Sequence, residues 1–234
     1  MGKVEQFGNL AWSPNGKDIA FTGLKDGQSD IFSYNLDTKE ISQLTNDKYS
    51  DYQPSYSSDG SKIVFSTDRL DLDEGLSAFI SMNMAVLDLT TKTIKSINIF
   101  PKANNLNPVF DSKDEKIYFL SNRDGFRNLY RYDLNTERIE QLTDYFTGIS
   151  GITENSPALS ISNDDDLVYS YYRSQRYTLY NAHASDFTPK EVNSNDVDFT
   201  AATLPPPNTV GVNIINKNLH NFLAYDDTPT DSIK

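Results

Sequence analysis

The 234-residue chain has no cysteine, one tryptophan, three methionines and two histidines. Without cysteine there are no disulfides, no thiol nucleophile and no cysteine-ligated zinc, while the compartment stays open, because an exported chain need not carry disulfides. The histidines, His183 and His220, form no H-E-x-x-H and are expected at the surface. No G-x-S-x-G serine elbow and no phosphate-cradling glycine loop occurs. No apolar run reaches the length of a membrane helix, and Met1–Glu5 begins no signal peptide. Positive charge is scarce as well. Lys plus Arg number 21 against 33 Asp plus Glu, giving a net charge of −12 and a pI near 4.5. Nonspecific binding to nucleic acid or to an anionic membrane is thereby disfavoured.

What the chain does have is a repeat. Trp12-Ser13-Pro14-Asn15-Gly16-Lys17 returns as Tyr56-Ser57-Ser58-Asp59-Gly60-Ser61, and in degenerate form after Phe110 and Leu159. An aliphatic residue and then an aromatic follow each anchor: Ile19/Phe21, Ile63/Phe65, Ile117/Phe119 and Leu167/Tyr169. This alternation places both side chains on one face of a strand. Turn dipeptides such as Asn15-Gly16 and Asp26-Gly27 separate the apolar stretches, as hairpins require. Tyr and Phe number 14 and 13, a composition suited to strands rather than to disorder. A repeat of this length built from short strands predicts an all-β fold, a β-propeller of four-stranded antiparallel blades.

About four blades are expected, at 9–46, 50–99, 104–144 and 153–193, as a fragment of a larger propeller. Lys190-Glu191-Val192 is expected to complete the fourth blade, and Lys3–Phe7 reads as the last strand of a preceding one. The spacing of ten residues from Phe21 to Ile31 recurs from Phe119 to Leu129 and from Tyr169 to Leu179. From Phe65 to Met84 it is nineteen, so an insertion lies within Leu70–Asn83. Residues 194–234 read as a proline-containing linker, with Pro205-Pro206-Pro207, and the start of a following region.

These residues resemble the TolB-like, WD-repeat-like propeller family. Trp12-Ser13-Pro14-Asn15-Gly16, Ile19-Ala20-Phe21, Gln43-Leu44-Thr45, Ser121-Asn122-Arg123-Asp124-Gly125 and Gln141-Leu142-Thr143 carry the likeness. The segment Thr147–Ser160, with Leu204-Pro205-Pro206-Pro207 after it, is similar to large Gram-negative envelope proteins. In those a propeller sits between a metallopeptidase-like domain and an outer-membrane barrel of the surface-antigen type. The resemblance implies a periplasmic or cell-surface, non-catalytic module that binds a protein or peptide. The alternative it implies is an accessory, substrate-gating propeller of a peptidase whose catalytic domain lies elsewhere. Such blades serve several functions, so fold alone does not choose.

Candidate sites are sparse. Lys25, Arg69, Arg123 and Arg173 each lie four residues past the aromatic of the second strand, so superposed blades would ring one face with cations. Either they gather an anionic ligand, or they pair internally once per blade. Asp71, Asp73 and Glu74 in the insertion offer hard oxygen ligands of the kind Ca²⁺ takes, but a calcium loop's glutamate at position twelve is missing. A solvated acidic loop, and no cofactor, is the expectation. Asn163–Asp166 likewise reads as a turn with solvated charges. Together with Tyr52 and Asn105, the four cations and the acidic insertion define the expected partner-binding face, where the connections 49–53, 103–107 and 147–155 also fall. No catalytic residue, no nucleic-acid contact and no membrane insertion by this segment is expected.

Overall fold

The computed structural model describes residues 4–70, 80–173 and 175–202, with only the backbone at 173 and 202. Four antiparallel sheets stand radially as blades. The first holds β1 (Gln6–Trp12), β2 (Asp18–Lys25), β3 (Gln28–Asn35) and β4 (Ile41–Gln43). The second holds β5 (Asp51–Tyr56), β6 (Lys62–Thr67), β7 (Asn83–Asp88) and β8 (Ile94–Ile97). The third holds β9 (Asn105–Phe110), β10 (Lys116–Ser121), β11 (Asn128–Asp133) and β12 (Ile139–Gln141). The fourth has three strands: β13 (Leu159–Ile161), β14 (Asp166–Arg173) and β15 (Arg176–His183).

Two expectations fail at the ends. The strand β16 (Lys190–Val192) does not complete the fourth blade; it pairs antiparallel with β12, making the third sheet five-stranded. Its anchor is the chain that follows. The Ser194 carbonyl accepts from the Phe100 amide at 2.6 Å, the Asp198 amide donates to the Arg123 carbonyl at 2.7 Å, and Val192, Val197 and Phe199 pack on the core between blades two and three. Residues 193–202 therefore belong to the propeller rather than to a linker. At the other end, Gln6 and Phe7 are not a preceding blade's last strand. They extend β1, pairing with Leu24 and Gly23 of the long β2.

Local chemistry explains the hairpins. Asp26 and Gly27 both take positive φ, 52° and 80°, the left-handed pair that a two-residue β-turn needs. Between third and fourth strands, Asn35, Asp88 and Asp133 each accept two amides of their own turn, which closes on Lys39, Lys92 or Glu137 at φ near 60°. The Gln-Leu-Thr motif also has a structural task. Thr45 Oγ1 accepts the Ile31 amide and Thr143 Oγ1 the Leu129 amide, each at 2.9 Å.

Three apolar cores fill the three junctions. The Ile-x-Phe face of each blade packs on the opposite face of the blade before it. Ile63 and Phe65 meet Ala20 and Ile31; Ile117 and Phe119 meet Val64 and Met84; Leu167 and Tyr169 meet Tyr118 and Leu120. At roughly 25 cal/mol per Å² of apolar area removed from water, these junctions are the main favourable term in the fold.

The turns between first and second strands add a second tie. Position four of this turn is Gly16, Gly60, Asp114 and Asp165, all at positive φ. Asp114 reaches the preceding blade and accepts from the Ser58 amide (2.6 Å), the Ser58 hydroxyl (2.7 Å) and the Asp59 amide (3.2 Å). Asp165 does the same to Ser112, at 2.8 and 3.0 Å. Asp165 is thus an inter-blade latch and not a solvated charge, because an unpaired amide of the neighbouring turn lies within its reach. Gly60 faces Pro14, which has no amide to offer, and there glycine suffices. No helix among the described residues is long and apolar enough to cross a membrane.

Candidate functional site: the axial cleft

The innermost strands β1, β5, β9 and β13 enclose a cleft of about 640 Å³. Each of the first three is bulged, and the bulge sets Asn9, Gln53 and Asn107 at φ 50–56°. These three residues knit the inner strands together. The Gln53 amide donates to Thr22 Oγ1 of the first blade at 3.1 Å. Gln53 Oε1 accepts the Asn107 amide at 2.8 Å, and Asn107 Oδ1 accepts the Ala158 amide at 3.2 Å. Across the axis, Asn9 Nδ2 and Gln53 Nε2 both donate to the Asn155 carbonyl, at 3.3 and 3.1 Å. The connection 147–155 therefore caps one end of the cleft.

Between that cap and the turns at the far end, the lining mixes Ser55 and Ser160 with Tyr56, Pro108 and Val109. Such a wall offers hydrogen-bonding groups along its length and apolar surface between them, which suits an extended polar chain. The bulge residues were overlooked in the sequence, although each stands three residues before an aromatic anchor, at 12, 56 and 110.

The expected cation ring is placed as follows. Lys25 Nζ donates to Gln43 Oε1 at 3.1 Å. Arg69 is buried, pairs with Asp51 through both carboxylate oxygens, reaches Asp47 at 2.6 Å and lies over the Tyr49 and Phe65 rings. Arg123, also buried, donates to Gln141 Oε1 (3.1 Å), the Tyr130 hydroxyl (3.1 Å) and Asp196 (2.8 Å to its carbonyl, 3.1 Å to its carboxylate). These three cations are engaged inside the fold. Of Arg173, the backbone pairs with Arg176 at the end of β14. Tyr52 is half-buried; Asn105 is fully buried and donates to the Ile99 carbonyl at 3.1 Å. Asp71, Asp73 and Glu74 lie outside the described residues, as does His220. His183 is exposed and caps a short 3-10 turn, Ala184–Asp186.

Asp30, Asp47 and Asp51 bring carboxylate oxygens within 4.8 Å of one another. Arg69 supplies positive charge to this group, while Asp30 accepts from Gln43 at 2.8 Å. Burial pushes the Asp51 carboxyl up to about 6, against the pull of Arg69.

No protein-family model matches the chain. Among curated proteins it is 29% identical over 127 residues to the Tol-Pal system protein TolB of Francisella tularensis subsp. mediasiatica, covering 54% of this chain and 27% of that protein. It is also 29% identical over 154 residues to dipeptidyl-peptidase 5 of Porphyromonas gingivalis, covering 58% of this chain and 20% of the other. The chain thus spans about a quarter of the length of these relatives. Among solved structures, TolB from Acinetobacter baumannii superposes with a TM-score of 0.61 at 18% identity, over 82% of this chain and 45% of that one. A puromycin-hydrolysing peptidase of Mycobacterium tuberculosis gives 0.58 at 14% identity, over 80% and 31%. The fold is that of a TolB-like β-propeller.

Proposed function

We propose that this TolB-like propeller is a non-catalytic module of a Gram-negative cell envelope, binding an extended segment of a protein or peptide in its axial cleft. The observation that carries the reading is the cleft itself. Four inner strands converge on it with hydroxyl groups set between aromatic and aliphatic side chains, a lining matched to the alternating backbone and side-chain groups of an extended peptide. The contact surface extends over the capped end, where Tyr52 and the connection 147–155 lie, while the buried Asn105 stands outside it. With a net charge of −12, a neutral or basic segment is favoured over an acidic one. The periplasm or the cell surface is the compartment that TolB similarity supports, and an outer-membrane barrel elsewhere in the full protein is compatible with it.

A second reading is supported by the likeness to two peptidases: an accessory propeller that gates substrate for a catalytic domain. There the cleft passes peptide rather than retaining it. Selection of binders from a random peptide library, followed by calorimetry, separates the two. Retention predicts saturable binding that falls at least about tenfold in Ser55→Trp and Ser160→Trp, which fill the cleft while leaving the cores intact. Selected peptides that bind these variants and the parent equally well would remove the cleft from the proposal. Absence of any retained peptide would favour gating.

A further inference from the structure

The three junctions repeat one packing rule and differ at one place. On the face that each blade turns to the next, one row of cross-strand partners reads Ala20-Ser33-Ser42 in the first blade. The same row is Val64-Val86-Lys95 in the second and Tyr118-Arg131-Glu140 in the third. Val64 and Val86 pack into the core of the second junction. In the third, Arg131 spans the row, donating to Glu140 at 2.9 Å and lying over the Tyr118 ring. The first junction has no side chain of that size there, and a hollow of about 320 Å³ remains beside Ser33 and Ser42. Small-molecule sites begin at roughly this volume, about 300 Å³.

Asp18, Ser33 and Ser42 line this hollow from the first blade, and Tyr56, Leu89 and Lys92 line it from the second. Among the described residues, the hydroxyls of Ser33, Ser42 and Tyr56 have no hydrogen-bond partner and Lys92 has no ion pair. Burial, and behind it the charge of Asp18, pushes the Tyr56 hydroxyl up to about 12, so at neutral pH it is a donor. Asp18 spends one carboxylate oxygen on Asn35, at 2.8 Å, and keeps the other. Asp59, also in the lining, is taken up by Ser57 and Ser61 of its own turn. A ligand therefore meets three hydroxyls, one carboxylate oxygen and one ammonium, with Leu89 and the Tyr56 ring as apolar surface. We propose that the hollow binds a neutral mono- or disaccharide. Sugar hydroxyls donate and accept at once, as this set of groups requires, and the C–H face of a sugar ring covers apolar surface. A compact anion would meet Asp18 and Asp59, and a compact cation would meet Lys92. The hollow shares Tyr56 with the axial cleft but does not depend on peptide binding there.

Saturation-transfer NMR on the full chain tests this with glucose, N-acetylglucosamine and maltose as probes, and with glutamate and putrescine as charged controls. At least one saccharide should receive saturation and titrate to a plateau, while the charged controls should not. Ser33→Val and Ser42→Lys write the second blade's residues into the first. Each should weaken saccharide binding at least about tenfold by occupying the hollow. Circular dichroism and thermal melting confirm that both variants are folded. Lys92→Met removes one charged donor and should weaken binding by about three- to tenfold. Ser160→Trp, which fills the axial cleft from the fourth blade, should leave saccharide binding unchanged. No transfer to any of the three saccharides, or transfer to the charged controls alone, would overturn the proposal. So would saccharide binding that survives both Ser33→Val and Ser42→Lys, or that is lost in Ser160→Trp and so belongs to the axial cleft.

Discussion

The first and third blades are written in nearly the same pattern, and both bury their aromatic pair, but against different neighbours. In the third, Phe119 and Tyr130 are fully buried, and their rings stack with each other and meet Phe100 from the neighbouring blade. In the first, the equivalent Phe21 and Phe32 are buried and stack as well, and the ring that meets Phe21 edge-on is Phe7 of the same sheet, itself 75% exposed. A repeat encodes apolar faces on both sides of a sheet; whether a face contributes to stability depends on a neighbour.

Substitutions should separate the two blades by their cost. Phe119→Ala opens a cavity in a closed junction and is expected to lower unfolding free energy by about 3–5 kcal/mol in urea denaturation. Next comes the polar node that distinguishes the first junction from the second. Burial raises the Asp51 carboxyl from the ordinary 3.8 to about 6 in the folded chain. Its contribution is therefore most favourable below pH 3.8 and is lost as pH rises through 3.8 to 6. Relative to Asp51→Asn, the parent's stability should decline over that window by on the order of 3 kcal/mol, at about 1.4 kcal/mol per unit. Parallel melts across the window that show no divergence would refute this. A smaller effect is expected at the latch. Asp114→Ala removes three inter-blade hydrogen bonds at an exposed site and should cost about 1–2 kcal/mol. Asp114→Gly should recover part of that loss, because φ is +58° there. Trp12→Ala, at a side chain that is itself 63% exposed, should change stability by no more than about 0.5 kcal/mol.

The blades were legible in the sequence because strand alternation and turn chemistry are local: Ile19/Phe21 and Ile117/Phe119 declare a face without reference to anything else. The ends were not legible, because strand partners are chosen by what is nearby in space. Lys190-Glu191-Val192 has the spacing of a fourth strand for its own blade, yet Val192, Val197 and Phe199 find apolar surface only beside the third. The candidate site was partly legible. The sequence marked the connections around the axis, but Asn9, Gln53 and Asn107 looked like ordinary polar residues before a bulge turned them toward neighbouring blades. The cation spacing was visible, while Asp47, Asp51 and Asp196, which hold Arg69 and Arg123, come from other strands and loops. The glycine-to-aspartate exchange at 114 and 165 looked like decay of a motif, although it answers the change from Pro14 to Ser58 and Ser112 one repeat earlier.

Because β16 closes the edge of the third sheet, that sheet stays unfinished on the ribosome until the entire fourth has been translated. An elongating chain would meanwhile expose the β12 edge, an invitation to intermolecular pairing. A product cut short before Lys190 would never cover it and should aggregate more readily than its remaining cores suggest.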